Sequence, residues 1–228
     1  MEKKQKRSLL AGSGLLAAFV LWTVLVRFVD VRAIGPQESR VGFAALNGYI
    51  HTLTGVNMVL YVITDWLGLV PIAVVFGFGV LGLAQWIKRG SFAKVDCSIL
   101  GLGGFYLVVL ALYVLFEIVV INYRPTLING CLEASYPSST TMLVLCVMPT
   151  AMMQLRARIK NKIFRQCVLL IMAIFIAFMV IGRLLSGVHW VTDIVGGALL
   201  SAAMVLLYKA ISNLLTKNSQ AHTHVSNQ

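Results

Sequence analysis

The sequence predicts an all-α fold, a bundle of six transmembrane helices, and three observations predict it. The first is composition: 59% of the 228 residues are hydrophobic and only 12% are charged, against about 45–50% and about 25% in soluble domains. So few ionisable groups cannot cover the surface of a water-soluble protein of this length. The second is a series of apolar runs long enough for a hydrocarbon core about 30 Å thick. The third is the sorting of charge. Lys3, Lys4, Lys6 and Arg7 precede the first run, Lys88, Arg89 and Lys94 follow the second, Arg156, Arg158, Lys160, Lys162 and Arg165 follow the fourth, and Lys209 and Lys217 come last. These are 14 of the 19 basic residues, in every second gap, as the positive-inside pattern requires. The pattern places both termini in the cytoplasm of a bacterial plasma membrane. The net charge of +11 therefore faces the bilayer's anionic headgroups. It does not point to nucleic acid, since no basic stripe is interleaved with aromatics.

The first span is expected at 9–28, too long for the apolar part of a signal peptide, about 7–15 residues. An outer segment, 29–54, follows; its stretch 41–53 reads equally as an interfacial helix or a loop. Apolar character then runs from Val56 to Ile87. As one helix this run would be about 48 Å long, too long for the core. It is interrupted by Asp65 and Pro71, so a short helix at 56–64 is expected before a span at 67–87, bracketed by Trp66 and Trp86. Pro71 then falls in the first turn, where proline costs least. The remaining spans are expected at 99–121, 139–155, 164–184 and 189–207, with Gly196-Gly197 as a close-packing face. Residues 1–217 form one membrane-embedded domain on this reading, and 218–228 a disordered cytoplasmic tail. Cys97, Cys131, Cys146 and Cys167 are scattered, without a disulfide or metal-binding pattern. No internal repeat or matched pair of broken spans suggests a transporter.

Chemistry concentrates between the last two spans, in Gly182-Arg183-Leu-Leu-Ser186-Gly187-Val-His189-Trp-Val-Thr192-Asp193. His189 and Asp193 stand four apart, on one face of a helix. A carboxylate there can orient an imidazole and leave its other nitrogen free as a nucleophile. A carboxylate at membrane depth is expensive and is usually functional. Arg183 and Arg124 belong to the same side of the membrane, and guanidinium forks match phosphate oxygens. Ser138-Ser139 opens the fourth span, where free backbone N–H groups and hydroxyls form an anion site. Asp65 reads as a helix cap, Asn122 and Glu133 as loop polar groups, and Tyr123 and Tyr136 as interface aromatics. Nothing in the sequence places His51 near His189.

These residues resemble the type 2 phosphatidic acid phosphatase superfamily of membrane lipid phosphatases, which carries the blocks Lys-x6-Arg-Pro, Pro-Ser-Gly-His and Ser-Arg-x5-His-x3-Asp. The third block matches at Arg183, His189 and Asp193, with Gly182 in place of serine. The first matches at Arg124-Pro125, with Glu117 in place of lysine. In the second, Ser138 matches, Ser139 replaces glycine and Thr140 replaces histidine. The resemblance covers most of the chain. It implies that His189 attacks phosphorus to form a phosphohistidine, that Asp193 orients it, and that Arg124 and Arg183 hold the phosphate with Ser138, Ser139 and Thr140 beside them. It implies no metal or cofactor. The implied partners are the bilayer and a membrane lipid phosphate or diphosphate. A threonine hydroxyl is too weak an acid to protonate a leaving alkoxide. Thr140 therefore favours a lipid diphosphate, such as an isoprenyl diphosphate, whose leaving group is a phosphate. The same departures admit a non-catalytic lipid-phosphate-binding or scaffold protein, and the site chemistry equally suits a lipid phosphotransferase.

Overall fold

The computed structural model describes residues 3–225, and side chains from 3 to 213. Its helices reverse where the sequence supplies a polar or glycine-bearing break. α1 (Lys3–Phe28) starts within the basic cluster itself and ends where Asp30 takes a positive φ of 46°. The Asp30 carboxylate accepts from the Ala45 N–H at 2.7 Å. Between them β1 (Arg32–Ala33) and β2 (Arg40–Val41) pair as a two-residue antiparallel ribbon. α2 (Ala44–Thr54) follows, so the stretch that read equally as helix or loop is a helix. Its buried Asn47 donates to the Gly42 carbonyl at 2.7 Å and to the Thr192 hydroxyl at 3.0 Å.

The long apolar run divides as its length demanded. α3 (Met58–Leu67) is capped by the Asn57 side chain, which accepts from Leu60 N–H. At Gly68 the chain enters α4 (Leu69–Arg89), whose first turn contains Pro71. α5 (Cys97–Ile118), α6 (Ser139–Arg158), α7 (Lys162–Leu185) and α8 (Val191–Val225) complete the chain. The backbone of α8 is helical as far as Val225. The disordered tail expected at 218–228 thus overlaps described helix up to that point, and 226–228 lie outside the described residues. Six segments are long and apolar enough to cross a bilayer, α3 and α4 acting as one. The protein is a multi-pass membrane protein, and its exposed surface agrees: Leu10, Phe76, Leu107 and Ile171 are each more than 60% exposed. In lipid, apolar side chains serve both faces of a span, and the interior likewise holds large ones such as Leu102, Met142, Met179 and Leu200.

α6 is the central span, packed on α4, α5, α7 and α8, while α1 lies along α8. Successive spans alternate in direction, so the basic clusters collect at one end of the bundle and the segments 29–57, 119–138 and 186–190 at the other. At the basic end Asp96 ties three helices together. It accepts from Gln85 at 2.8 Å and Arg89 at 2.9 Å, and stands 3.8 Å from Arg158. Near the other end, Gly196 allows α8 to meet the segment that precedes α6. A Cβ at Gly196 would lie 2.6 Å from the ring of Tyr136. Tyr136 is itself fully buried, its hydroxyl 2.7 Å from that of Thr23. It is a core anchor and not the interface aromatic its sequence context suggested. Replacing Gly196 with valine should therefore cost about 1–3 kcal/mol of stability through overpacking. A lowered thermal midpoint in detergent, absent for Gly79→Val where the added Cβ meets nothing within 4 Å, is the expected result.

Candidate active site

Residues 186–190 join α7 to α8, and Gly187 makes the join possible. Its φ is +67°, and a Cβ there would lie 1.7 Å from the Gly55 carbonyl oxygen. The backbones of the 55–57 and 186–187 turns touch, sealed by Asn57 N–H donating to the Ser186 carbonyl at 2.9 Å. This turn delivers His189, 4% exposed, to the centre of the polar end. Trp190 anchors it by donating from its indole to the Tyr123 carbonyl at 2.7 Å.

Both arginines converge on one atom. Arg124 Nη1 and Arg183 Nη2 each lie 3.4 Å from His189 Nε2. A guanidinium only donates, so Nε2 accepts and carries a lone pair. On the other side of the ring, Nδ1 is 3.7 Å from Asp193 Oδ2. That separation is longer than a hydrogen bond, but it sets a carboxylate against the nitrogen that carries the proton. Asp193 is fully buried. It accepts from the Trp190 N–H at 3.0 Å and the Asn122 amide at 3.4 Å, and the Ser135 hydroxyl lies beside it. Burial drives the pKa of His189 well below the ordinary imidazole value, and the Arg124 and Arg183 charges push it the same way. The ring is therefore a neutral, directed base.

α6 approaches with its N-terminus. Ser138 caps it, and its own N–H donates to the Asp193 carbonyl at 3.1 Å. Its buried hydroxyl has no partner in the structure. The first intrahelical bond runs from Met142 N–H to the Ser138 carbonyl, which leaves the N–H groups of the first turn for an anion. Ser139 and Thr140 line a cleft of about 1740 Å³ together with Arg124 and Arg183. The cleft runs between α4 and α5 from these residues down to Trp86 and Ile99 near the basic end, and its wall is mostly apolar.

A family description for the PAP2 superfamily matches residues 14–217. This chain belongs to the PAP2 superfamily. A solved transmembrane PAP2-type phosphatidylglycerolphosphate phosphatase from Bacillus subtilis is similar, with 20% identity, 89% of this chain and 96% of that chain covered, and a TM-score of 0.48. No curated protein matches.

The seven candidate positions of this PAP2 protein, Arg124, Ser138, Ser139, Thr140, Arg183, His189 and Asp193, all gather at one end of the bundle. One departure from the PAP2 pattern has a local counterpart. A Cβ at Gly182 would lie 2.8 Å from Thr64 Cγ2, so the serine of the pattern has no room. Thr64 accepts a long hydrogen bond from Arg183 Nη1 instead, at 3.5 Å. Several residues read as bystanders belong to the site. Asp65 is not the helix cap it was read as: it lies within the last turn of α3, and its carboxylate is 3.6 Å from Arg183 Nη1. Glu133 holds Arg124 Nε at 3.0 Å, and Asn122 is buried against Asp193. His51 lies nearby after all, its ring 5.4 Å from that of Trp190. Polarity and position on the outer segments were the only sequence signals for these, and they are weak.

Titration of a sample labelled with 15N at histidine should show His189 Nε2 unprotonated at pH 6, where an ordinary imidazole of pKa about 6.5 is mostly protonated. Replacing Arg124 with alanine removes one of the depressing charges, so the His189 pKa should move upward toward the ordinary value.

Proposed function

We propose that this protein is a bacterial plasma-membrane phosphatase that hydrolyses a lipid diphosphate, an isoprenyl diphosphate above all, through a phosphohistidine on His189. The observation that carries the reading is the convergence of Arg124 and Arg183 on His189 Nε2, at 3.4 Å each. A phosphate brought to that nitrogen would have a guanidinium on either side. Those charges would neutralise the negative charge that spreads over the equatorial oxygens in the transition state. Asp193 would stabilise the positive charge that the ring acquires on attack. Ser138, Ser139 and Thr140 would offer the α6 N-terminus to the same oxygens.

The cleft supports a lipid substrate, because its polar residues sit at one end and apolar walls continue through the bundle. The basic clusters occupy the opposite end, which supports placing the site outside and both termini in the cytoplasm. Thr140 supports the diphosphate. It stands in the cleft where the family pattern has an imidazole, and it cannot protonate a departing alkoxide. General acid catalysis is worth about 10²–10⁴-fold. A leaving lipid phosphate needs little of it, whereas the alkoxide of a phosphate monoester needs nearly all.

Purified protein supplied with farnesyl diphosphate, phosphatidic acid and phosphatidylglycerol phosphate should release phosphate fastest from the diphosphate, and His189→Ala should abolish release. Preference for phosphatidic acid would sink the diphosphate reading. Binding of all these lipids without release from any would make this a lipid-phosphate-binding protein. A further outcome is expected of Thr140→His: it should raise phosphatidic acid hydrolysis by about 10²-fold or more and change diphosphate hydrolysis little.

A further inference from the structure

A diphosphate substrate relieves the first chemical step of its acid but leaves the second step short of a base. When His189 Nε2 attacks the terminal phosphorus, the Nε2–P bond forms and the bridging P–O bond breaks. The lipid monophosphate departs with the electron pair and needs no proton. Water must then attack the phosphohistidine. As the O–P bond forms and the Nε2–P bond breaks, the imidazole recovers its lone pair and water must give up a proton. An imidazole at position 140 could take that proton, and Thr140 cannot.

We propose that Asp65 is the general base that takes this proton, an inference that rests on the phosphohistidine reading above. Two independent observations place it. The first is its contact with the site: Asp65 Oδ1 is 3.6 Å from Arg183 Nη1, and Nη2 of the same guanidinium is 3.4 Å from His189 Nε2. The second is its position relative to residue 140. Gly68 is one turn after Asp65, and its backbone N–H bonds the Asp65 carbonyl at 3.0 Å. A Cβ on Gly68 would be 3.7 Å from Thr140 Cγ2. The end of α3 that carries Asp65 therefore lies beside residue 140.

Asp193 is committed to the Nδ1 side of the ring, 3.7 Å away, and the two remaining carboxylates of the site fit the role less well. Glu133 is engaged at 3.0 Å with Arg124 Nε, and its backbone carbonyl accepts from the Arg124 N–H, also at 3.0 Å. That close, two-point contact fixes it as a positioning group for Arg124. Glu117 lines the cleft on the last turn of α5 but forms no ion pair with either arginine. Asp65 has the longer, looser contact, and its side chain is 57% exposed. It can accept a proton beside the arginines and pass it to water.

The test separates the two chemical steps. Wild type, Asp65→Asn and Glu133→Gln are mixed with farnesyl diphosphate labelled at the terminal phosphate and quenched on the millisecond scale, with His189→Ala as the unlabelled control. The expected result for Asp65→Asn is a burst of farnesyl phosphate close to one per enzyme. Label should persist on His189, with discharge slowed about 10²–10⁴-fold. Formate added to Asp65→Ala should speed discharge, which a merely structural aspartate would not allow. Discharge from Asp65→Asn at the wild-type rate would overturn the assignment, as would persistent label in Glu133→Gln in its place. Loss of labelling in Asp65→Asn while wild type still labels would make Asp65 a support for Arg183 and overturn the role as base. No label on His189 in any protein would instead overturn the phosphohistidine reading itself.

Discussion

The structure of the polar end follows from one electrostatic demand: two guanidinium groups must be held side by side, largely out of water, against a single imidazole nitrogen. Arg183 is 1% exposed and Arg124 8%. Like charges so close, away from bulk solvent, repel strongly and are expensive to desolvate. Each arginine therefore carries its own retinue. Arg183 has Asp65 and Thr64 from α3 and lies over the Tyr61 ring, 5.0 Å from its centroid. Arg124 has Glu133 and a backbone bridge that pairs Tyr123 with Ala134. The division of α3 from α4 at Gly68 and the irregular course of 119–138 are the backbone's means of bringing these counter-charges into place.

The remaining contacts keep His189 and Asp193 at the junction of those two groups. Trp190 reaches the Tyr123 carbonyl, and Asn47 on α2 accepts from the Thr192 N–H at 3.3 Å. Gly196 admits Tyr136, and the segment ending at Ser138 is bonded to the Asp193 carbonyl. Thus α2, the 119–138 segment and the start of α6 each fasten to the start of α8. Asp65 and Glu133 face the two arginines, and Asp193 faces the imidazole between them.

The spans were legible because hydropathy is an average over some twenty residues and tolerates local error. The break near Asp65 was legible because a helix of that length would overshoot the membrane. Arg183, His189 and Asp193 were legible because a fixed spacing within one stretch carries geometric meaning. The partners of the arginines were not. Asp65 meets Arg183 across 118 positions of sequence, and Asn122 meets Asp193 across 71. A single polar residue on an outer segment has no periodicity to reveal its partner. Gly182 faces Thr64 on a different helix, a contact that its place in the motif does not announce.

The knot around Asp96 has a mechanical consequence for the cleft. Asp96 stands at the start of α5 and is bonded to Gln85 and Arg89 near the end of α4. Close by, the space at Gly82 is filled by Ile99. The two walls thus share a fastened root at the basic end, and their other ends run free of that root toward the arginines. Those far ends have separate holders: α4 passes through Gly68 into α3, whose Asp65 reaches Arg183, and α5 packs Phe116 against Phe19 and Tyr136. The cleft is thus a wedge, pinned at its apex by one carboxylate and held open at its mouth by different neighbours on its two sides.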